Sequence, residues 1–151
     1  MSPPGGPSRR GLTSPNETAK KESMKENHFH DVIIAGDKLW SHVAPIKQRL
    51  LKLRRLYGKL RIVNCGGKEG ADAIVRQLCV DFEIPYVSIK ANWSKDGKKQ
   101  AAPLRNQLIL EQYDIKLLLV FHANLFNASK GTFDLVKRSF RQGITTIIVP
   151  E

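Results

Sequence analysis

Three short segments carry residue types that hold or transform an anionic ligand. The first, Val63-Asn-Cys-Gly-Gly-Lys-Glu-Gly-Ala-Asp72, sets Gly66, Gly67 and Gly70 between an apolar run and a segment of helical period. Glycines there let backbone N–H groups approach a phosphate, and the dipole of a following helix favours an anion. No Lys-Ser or Lys-Thr follows the last glycine, so this is not a P-loop, and Cys65 at the first glycine position rules out a full GxGxxG. Gly66 and Gly67 are expected to admit a phosphate and Gly70 to serve packing. A plain strand-to-helix turn is the alternative, and the loop alone does not choose.

The second segment is Pro103-Leu-Arg-Asn106. Pro103 fits the first turn of a helix, which places Arg105 and Asn106 there too. Arginine is a fork donor for phosphate or carboxylate, and asparagine can read a ribose or base edge. A solvated first-turn arginine is the alternative. In the third segment, Gly131-Thr132 opens a helix and supplies a second anion-friendly N-terminus. Gly36, Asp37 and Lys68 stand in the same kind of position, after apolar runs. Trp93 lies in a polar, lysine-rich stretch expected as a loop. Its ring either stacks on a base, with Lys95, Lys98 and Lys99 near phosphates, or folds back as the loop's own core.

For bond cleavage the candidates are Asp72 or Asp134 as the carboxylate, with Arg105 stabilising charge. His122 is a loop histidine with no partner in the sequence pattern, a type more often inert than catalytic. No Ser-His-Asp or Cys-His arrangement can be picked out. His28, His30 and His42 lack ligand spacing, so no metal site is predicted, and no cofactor either.

These residues need elements to position them. Five β-branched apolar runs, 31–36, 60–65, 86–90, 116–121 and 144–149, alternate with segments of helical period. Val43, Ile46, Leu50, Leu53 and Tyr57 mark a first helix, closed by Gly58. Ala71, Ile74, Val75, Leu78 and Phe82 mark a second, stopped before Pro85. Leu104, Leu108 and Tyr113 belong to the third, and a fourth runs from about Thr132 to Gln142 with Phe133, Val136 and Phe140 inward. Near-continuous apolar strands alternating with helices predict an α/β fold: a doubly wound, Rossmann-like parallel sheet of about five strands with helices on both faces. The glycines and polar residues follow the strands, whereas the helix-to-strand connections are short caps and stops. The elaborated edge is therefore the carboxyl end of the sheet, where such folds bind ligands.

The 151 residues suit one domain. Residues 1–27 are rich in Pro, Gly, Ser and charge and are expected to be a disordered tail, with 28–151 the folded domain. The tail has no apolar signal core, and Met24 is a second candidate start. The chain carries +11 overall, of which +2 falls in the tail and +9 beyond it, a field that favours an anionic partner. No apolar run is long enough to span a membrane. Two cysteines without metal or redox spacing suggest buried thiols in a reducing, intracellular and cytoplasmic setting.

In order, VIIAGDK (32–38), IVNCGGKEGAD (62–72), ANW (91–93), APLRNQLIL (102–110), KGTFDLV (130–136) and ITTIIVPE resemble the YspA-like branch of the SLOG superfamily. That superfamily of Rossmann-like proteins includes DprA and the LOG phosphoribohydrolases. The resemblance implies a nucleotide-derived ligand, with Gly66, Gly67, Gly70, Asp72, Arg105, Asn106, Gly131 and Thr132 at the matching positions. It implies homodimers or higher oligomers as partners. Where LOG-type hydrolases carry a glutamate after their glycine-threonine pair, this chain has Leu135, with Asp134 one residue early, and Ala128 and Ser129 replace a glycine pair. Three readings follow. The first is binding or sensing of a small anionic nucleotide-like ligand. The second is a nucleotide-processing hydrolase acting on an N-glycosidic or phosphoryl bond. The third is single-stranded nucleic-acid binding as in DprA, for which affinity should fall steeply with salt.

Overall fold

The computed structural model describes residues 29–151, so the expectations for residues 1–27 and for Met24 lie outside the described residues. Within it, five strands form one parallel sheet: β1 (His30–Gly36), β2 (Leu60–Asn64), β3 (Tyr86–Ser88), β4 (Ile115–Phe121) and β5 (Thr146–Val149). Their spatial order is β3-β2-β1-β4-β5. Four helices connect them: α1 (Val43–Tyr57), α2 (Gly70–Asp81), α3 (Trp93–Gln112) and α4 (Lys130–Arg141). This is the doubly wound, Rossmann-like fold expected from the strand pattern.

The apolar runs are continuous because the sheet is covered on both sides. Val32, Ile34, Leu117 and Leu119 point to one face and pack with Ile46, Leu50, Val75 and Leu78 of α1 and α2. Ile33, Ala35, Leu118 and Val120 point to the other, against Ile109, Leu110 and Leu135 of α3 and α4. Chain order reverses between β1 and β4: β2 and β3 extend the sheet one way, β4 and β5 the other. A crevice must open there at the strands' carboxyl ends, because the helices on either side diverge. At the opposite end, Asp31 and Arg61 close the sheet with a partly buried two-point ion pair, at 2.7 and 3.1 Å.

Three expectations need correction. The third helix does not begin at Pro103. Asn92 caps a helical turn from Trp93 by accepting the Lys95 N–H at 3.1 Å, so Trp93 lies on a helix rather than in a loop. Gly97 (φ 81°, ψ 168°) breaks the helix, which then continues through Pro103. Proline is tolerated because the ladder bond it removes falls near the start of this second piece, on exposed Lys99. Arg105 and Asn106 consequently sit more than a turn inside the helix.

Leu104 and Leu108 are not core residues; they are 44% and 41% exposed, while Ala101, Ala102, Asn106 and Ile109 face inward. The cause is close helix packing. A Cβ on Gly131 would stand 3.0 Å from the Ala102 Cβ, so α3 meets α4 through small residues and has no room for leucine there. The same packing turns α4 so that Leu135 and Ser139 are buried. Phe133 and Phe140, expected inward, are exposed.

Candidate functional site

At the β1/β4 reversal lies a crevice of about 1440 Å³. Gly36, Asp37, Gly66, Gly67, Lys68, Asp72, Trp93, Arg105, Gly131 and Thr132 all line it, so the structure gathers most of the residues singled out in the sequence. Gly70, Asn106 and Asp134 do not line it. Seven basic side chains (Lys38, Lys68, Lys90, Lys98, Lys99, Arg105 and Lys130) surround two carboxylates, Asp37 and Asp72. Lys90, Lys130, Ser129, Asn124 and His122 were not among the expected site residues. Lys90 comes from the β3–α3 connection and the others from the β4–α4 connection and the first residue of α4, and only the fold brings them together.

The glycine loop is built from below by Asn64, which is fully buried at the end of β2. Its Oδ1 accepts the Gly66 N–H (2.8 Å), Arg76 Nη1 (3.1 Å) and the Ser88 hydroxyl (3.1 Å), while its Nδ2 donates to the Asp72 carbonyl (3.1 Å). Arg76 Nη1 also donates to the Gly67 carbonyl at 2.6 Å. Asp72 Oδ2 accepts the Gly67 N–H at 2.9 Å. The N–H groups of Gly66 and Gly67 are thus already satisfied by side chains, and these two donors are not free to cradle a phosphate.

Asp72 is held in an unusual state. Its Oδ1 is buried without a hydrogen-bond partner among the described residues. Burial pushes the carboxyl above the ordinary aspartate value of 3.8, against the Gly67 N–H and the positive charges of Arg105 and Arg76, which pull it down. Because the folded value is the higher one, the native state binds this proton more tightly than the unfolded chain. The resulting contribution to stability is complete below the unfolded value and is lost as pH rises through the folded one. Wild-type stability relative to Asp72→Asn, measured by urea unfolding from about pH 3 to about pH 6, is expected to fall with rising pH. A difference that is flat or rises would contradict this account.

Arg105 spans the middle of the crevice. Its Nε donates to Asn106 Oδ1 (2.7 Å) and its Nη1 to the carbonyls of Cys65 (2.7 Å) and Ile89 (3.4 Å). Nη2 has no protein acceptor among the described residues and lies 3.8 Å from the position a Cβ would take on Gly131, beside the start of α4. Asn106, wholly buried, is an anchor: its amide nitrogen donates to the Gly131 carbonyl (2.9 Å) and to Asp134 Oδ2 (3.0 Å). Asp134 is further tied to Arg138 Nε at 2.7 Å. This network pins the N-terminal turn of α4, itself capped by the Ser129 hydroxyl on the Thr132 N–H at 3.2 Å.

Trp93 is 55% exposed at the crevice, so its ring does not fold back as a core of its own. Gly36 is a packing glycine, since a Cβ there would meet the Phe121 carbonyl at 2.5 Å and Ala71 at 2.6 Å. Cys65 and Cys79 are free, buried thiols, each pushed up to about 12 by burial and so kept in the unreactive neutral form. Among the described residues, no group of three or more His, Cys, Asp or Glu is placed to hold a metal ion, and no helix is long and apolar enough to cross a membrane.

The fold and this crevice define a Rossmann-like α/β protein whose architecture is consistent with the SLOG and Rossmann superfamily at large. No protein-family model matches the chain, and no curated protein matches it significantly.

Proposed function

We propose that the chain binds a nucleotide or nucleotide-derived ligand in the crevice between β1 and β4, and that its resemblance to the YspA-like branch of the SLOG superfamily extends to this role. The observation that carries the reading is the Nη2 of Arg105, without an acceptor among the described residues, beside the N-terminal turn of α4 inside a predominantly basic crevice. A phosphate there would meet the Arg105 Nη2 group, the helix dipole and Lys130 together. The Gly66-Gly67 pair, whose N–H groups are engaged, serves as a shaped wall rather than the phosphate cradle. Exposed Trp93 at the rim offers a face for a base.

Binding is favoured over hydrolysis by one specific feature. Leu135, at the position of the LOG-type glutamate, is buried and lends the crevice an apolar surface, while Asp134 is committed to Asn106 and Arg138 outside it. Neither supplies a carboxylate to a substrate in that place.

Calorimetry of the full chain against nucleoside mono- and diphosphates, cyclic dinucleotides and ADP-ribose tests the reading. Arg105→Met is expected to weaken whichever ligand binds by roughly 10- to 100-fold, the worth of a charge-assisted hydrogen bond. Absence of binding by the folded wild-type chain across the panel would sink the proposal. Tight oligonucleotide binding that weakens steeply with salt would point to the nucleic-acid reading instead.

A further inference from the structure

The two strands that flank the reversal are followed directly by Asp37 and His122, which face one another at the crevice. His122 Nδ1 accepts the Asn124 N–H at 3.1 Å, so its other nitrogen, Nε2, carries the ring proton. Asp37 Oδ1 accepts the Leu39 N–H at 3.0 Å, leaving Oδ2 as the available acceptor. Nε2 and Oδ2 stand 3.8 Å apart, too far for a direct N–H···O bond. The Asp37 side chain is 27% exposed and both residues line the crevice, so a ligand can reach the gap.

A donor and an acceptor at that separation select one kind of group. A hydroxyl oxygen roughly 2.8 Å from each accepts from Nε2–H and donates its own proton to Oδ2. A phosphate oxygen has no proton for Oδ2 and is repelled by it. A carbonyl satisfies only the histidine, and an ammonium only the aspartate. We propose that Asp37 and His122 form a hydroxyl-reading subsite that takes a sugar hydroxyl of the ligand, with its phosphate directed toward Arg105. The proposal rests on the nucleotide reading above and narrows it to ribose-bearing ligands.

The test is calorimetry of the full chain with adenosine and guanosine 5′-mono- and diphosphates, each beside its 2′-deoxy and 2′,3′-dideoxy counterparts. The ribonucleotides are expected to bind roughly 10- to 100-fold more tightly than the dideoxy forms, because an unmet hydroxyl leaves a charged acceptor unpaired. That ratio should contract towards one in Asp37→Ala and in His122→Phe. Equal binding of ribo and dideoxy forms by the wild type overturns the subsite and leaves nucleotide binding intact. A ribose preference that persists unchanged in either folded variant assigns the hydroxyl to other residues and also overturns it. No binding of any of these nucleotides overturns the subsite, while the nucleotide reading stands or falls on the wider panel above.

Discussion

Gly70→Ala is expected to destabilise the protein by about 4 kcal/mol, a large part of the roughly 5 to 15 kcal/mol that holds a domain of this size together. Two costs add. Gly70 has φ +68°, where a Cβ crowds its own backbone at roughly 1 to 2 kcal/mol. A Cβ there would also stand 2.3 Å from the Asp37 carbonyl oxygen and 2.4 Å from the carbonyl carbon and oxygen of Lys38. These are backbone atoms, which cannot swing aside as a side chain can. Gly143→Ala separates the two costs, because Gly143 has nearly the same φ, +74°, with nothing within 4 Å of an added Cβ. That variant should lose only about 1 kcal/mol. Urea midpoints of both variants check the claim, and equal losses would show that the contact with the Asp37 loop is unimportant. The loss at Gly70 should also reach function, since relieving the overlap shifts the Asp37-Lys38 backbone that carries the Asp37 carboxylate.

Asn64→Leu is expected to cost about 3 kcal/mol. Leucine is close to asparagine in size but returns none of its hydrogen bonds, so the Gly66 N–H, the Arg76 guanidinium, the Ser88 hydroxyl and the Asp72 carbonyl all lose a partner. Removing a single exposed partner is a different matter. Ser88→Ala should cost under about 1 kcal/mol, since Ser88 is exposed and its loss leaves Asn64 Oδ1 with two donors. Hydrogen exchange gives a second readout: the Gly66 amide, protected in the wild type by Asn64 Oδ1, should exchange at close to the free-loop rate in Asn64→Leu. A protected Gly66 amide in that variant would mean that other contacts hold the loop.

The fold was legible because its signals are local. Apolar runs buried on both faces, Gly58 ending α1 and Pro85 following α2 each impose conformation through neighbouring residues, and together they specify alternating strands and helices. The third helix misled because Pro103 is a local start signal and the Gly97 break that makes proline tolerable is a conformational fact absent from its residue type. Leu104, Leu108, Phe133 and Phe140 misled for another reason. Their helical spacing is that of a core face, but the side facing inward was settled by the Ala102–Gly131 approach between two helices.

A doubly wound parallel sheet and the edge on which its unusual residues gather are written into the local residue pattern, as are many of the residues that line the crevice. These follow from periodicity and from the rule that loops after parallel strands share one side. What each residue there is free to do depends on its neighbours in space. Asn64 and Asp72 take up the N–H groups of Gly66 and Gly67, Asn106 and Asp134 lock α4, and Arg105 keeps one nitrogen without a partner among the described residues. Asp37 and His122, 85 positions apart, meet only because β1 and β4 are neighbours. Hydrogen-bond partners are fixed by distance in space, and no spacing along the chain encodes whether a donor is already taken.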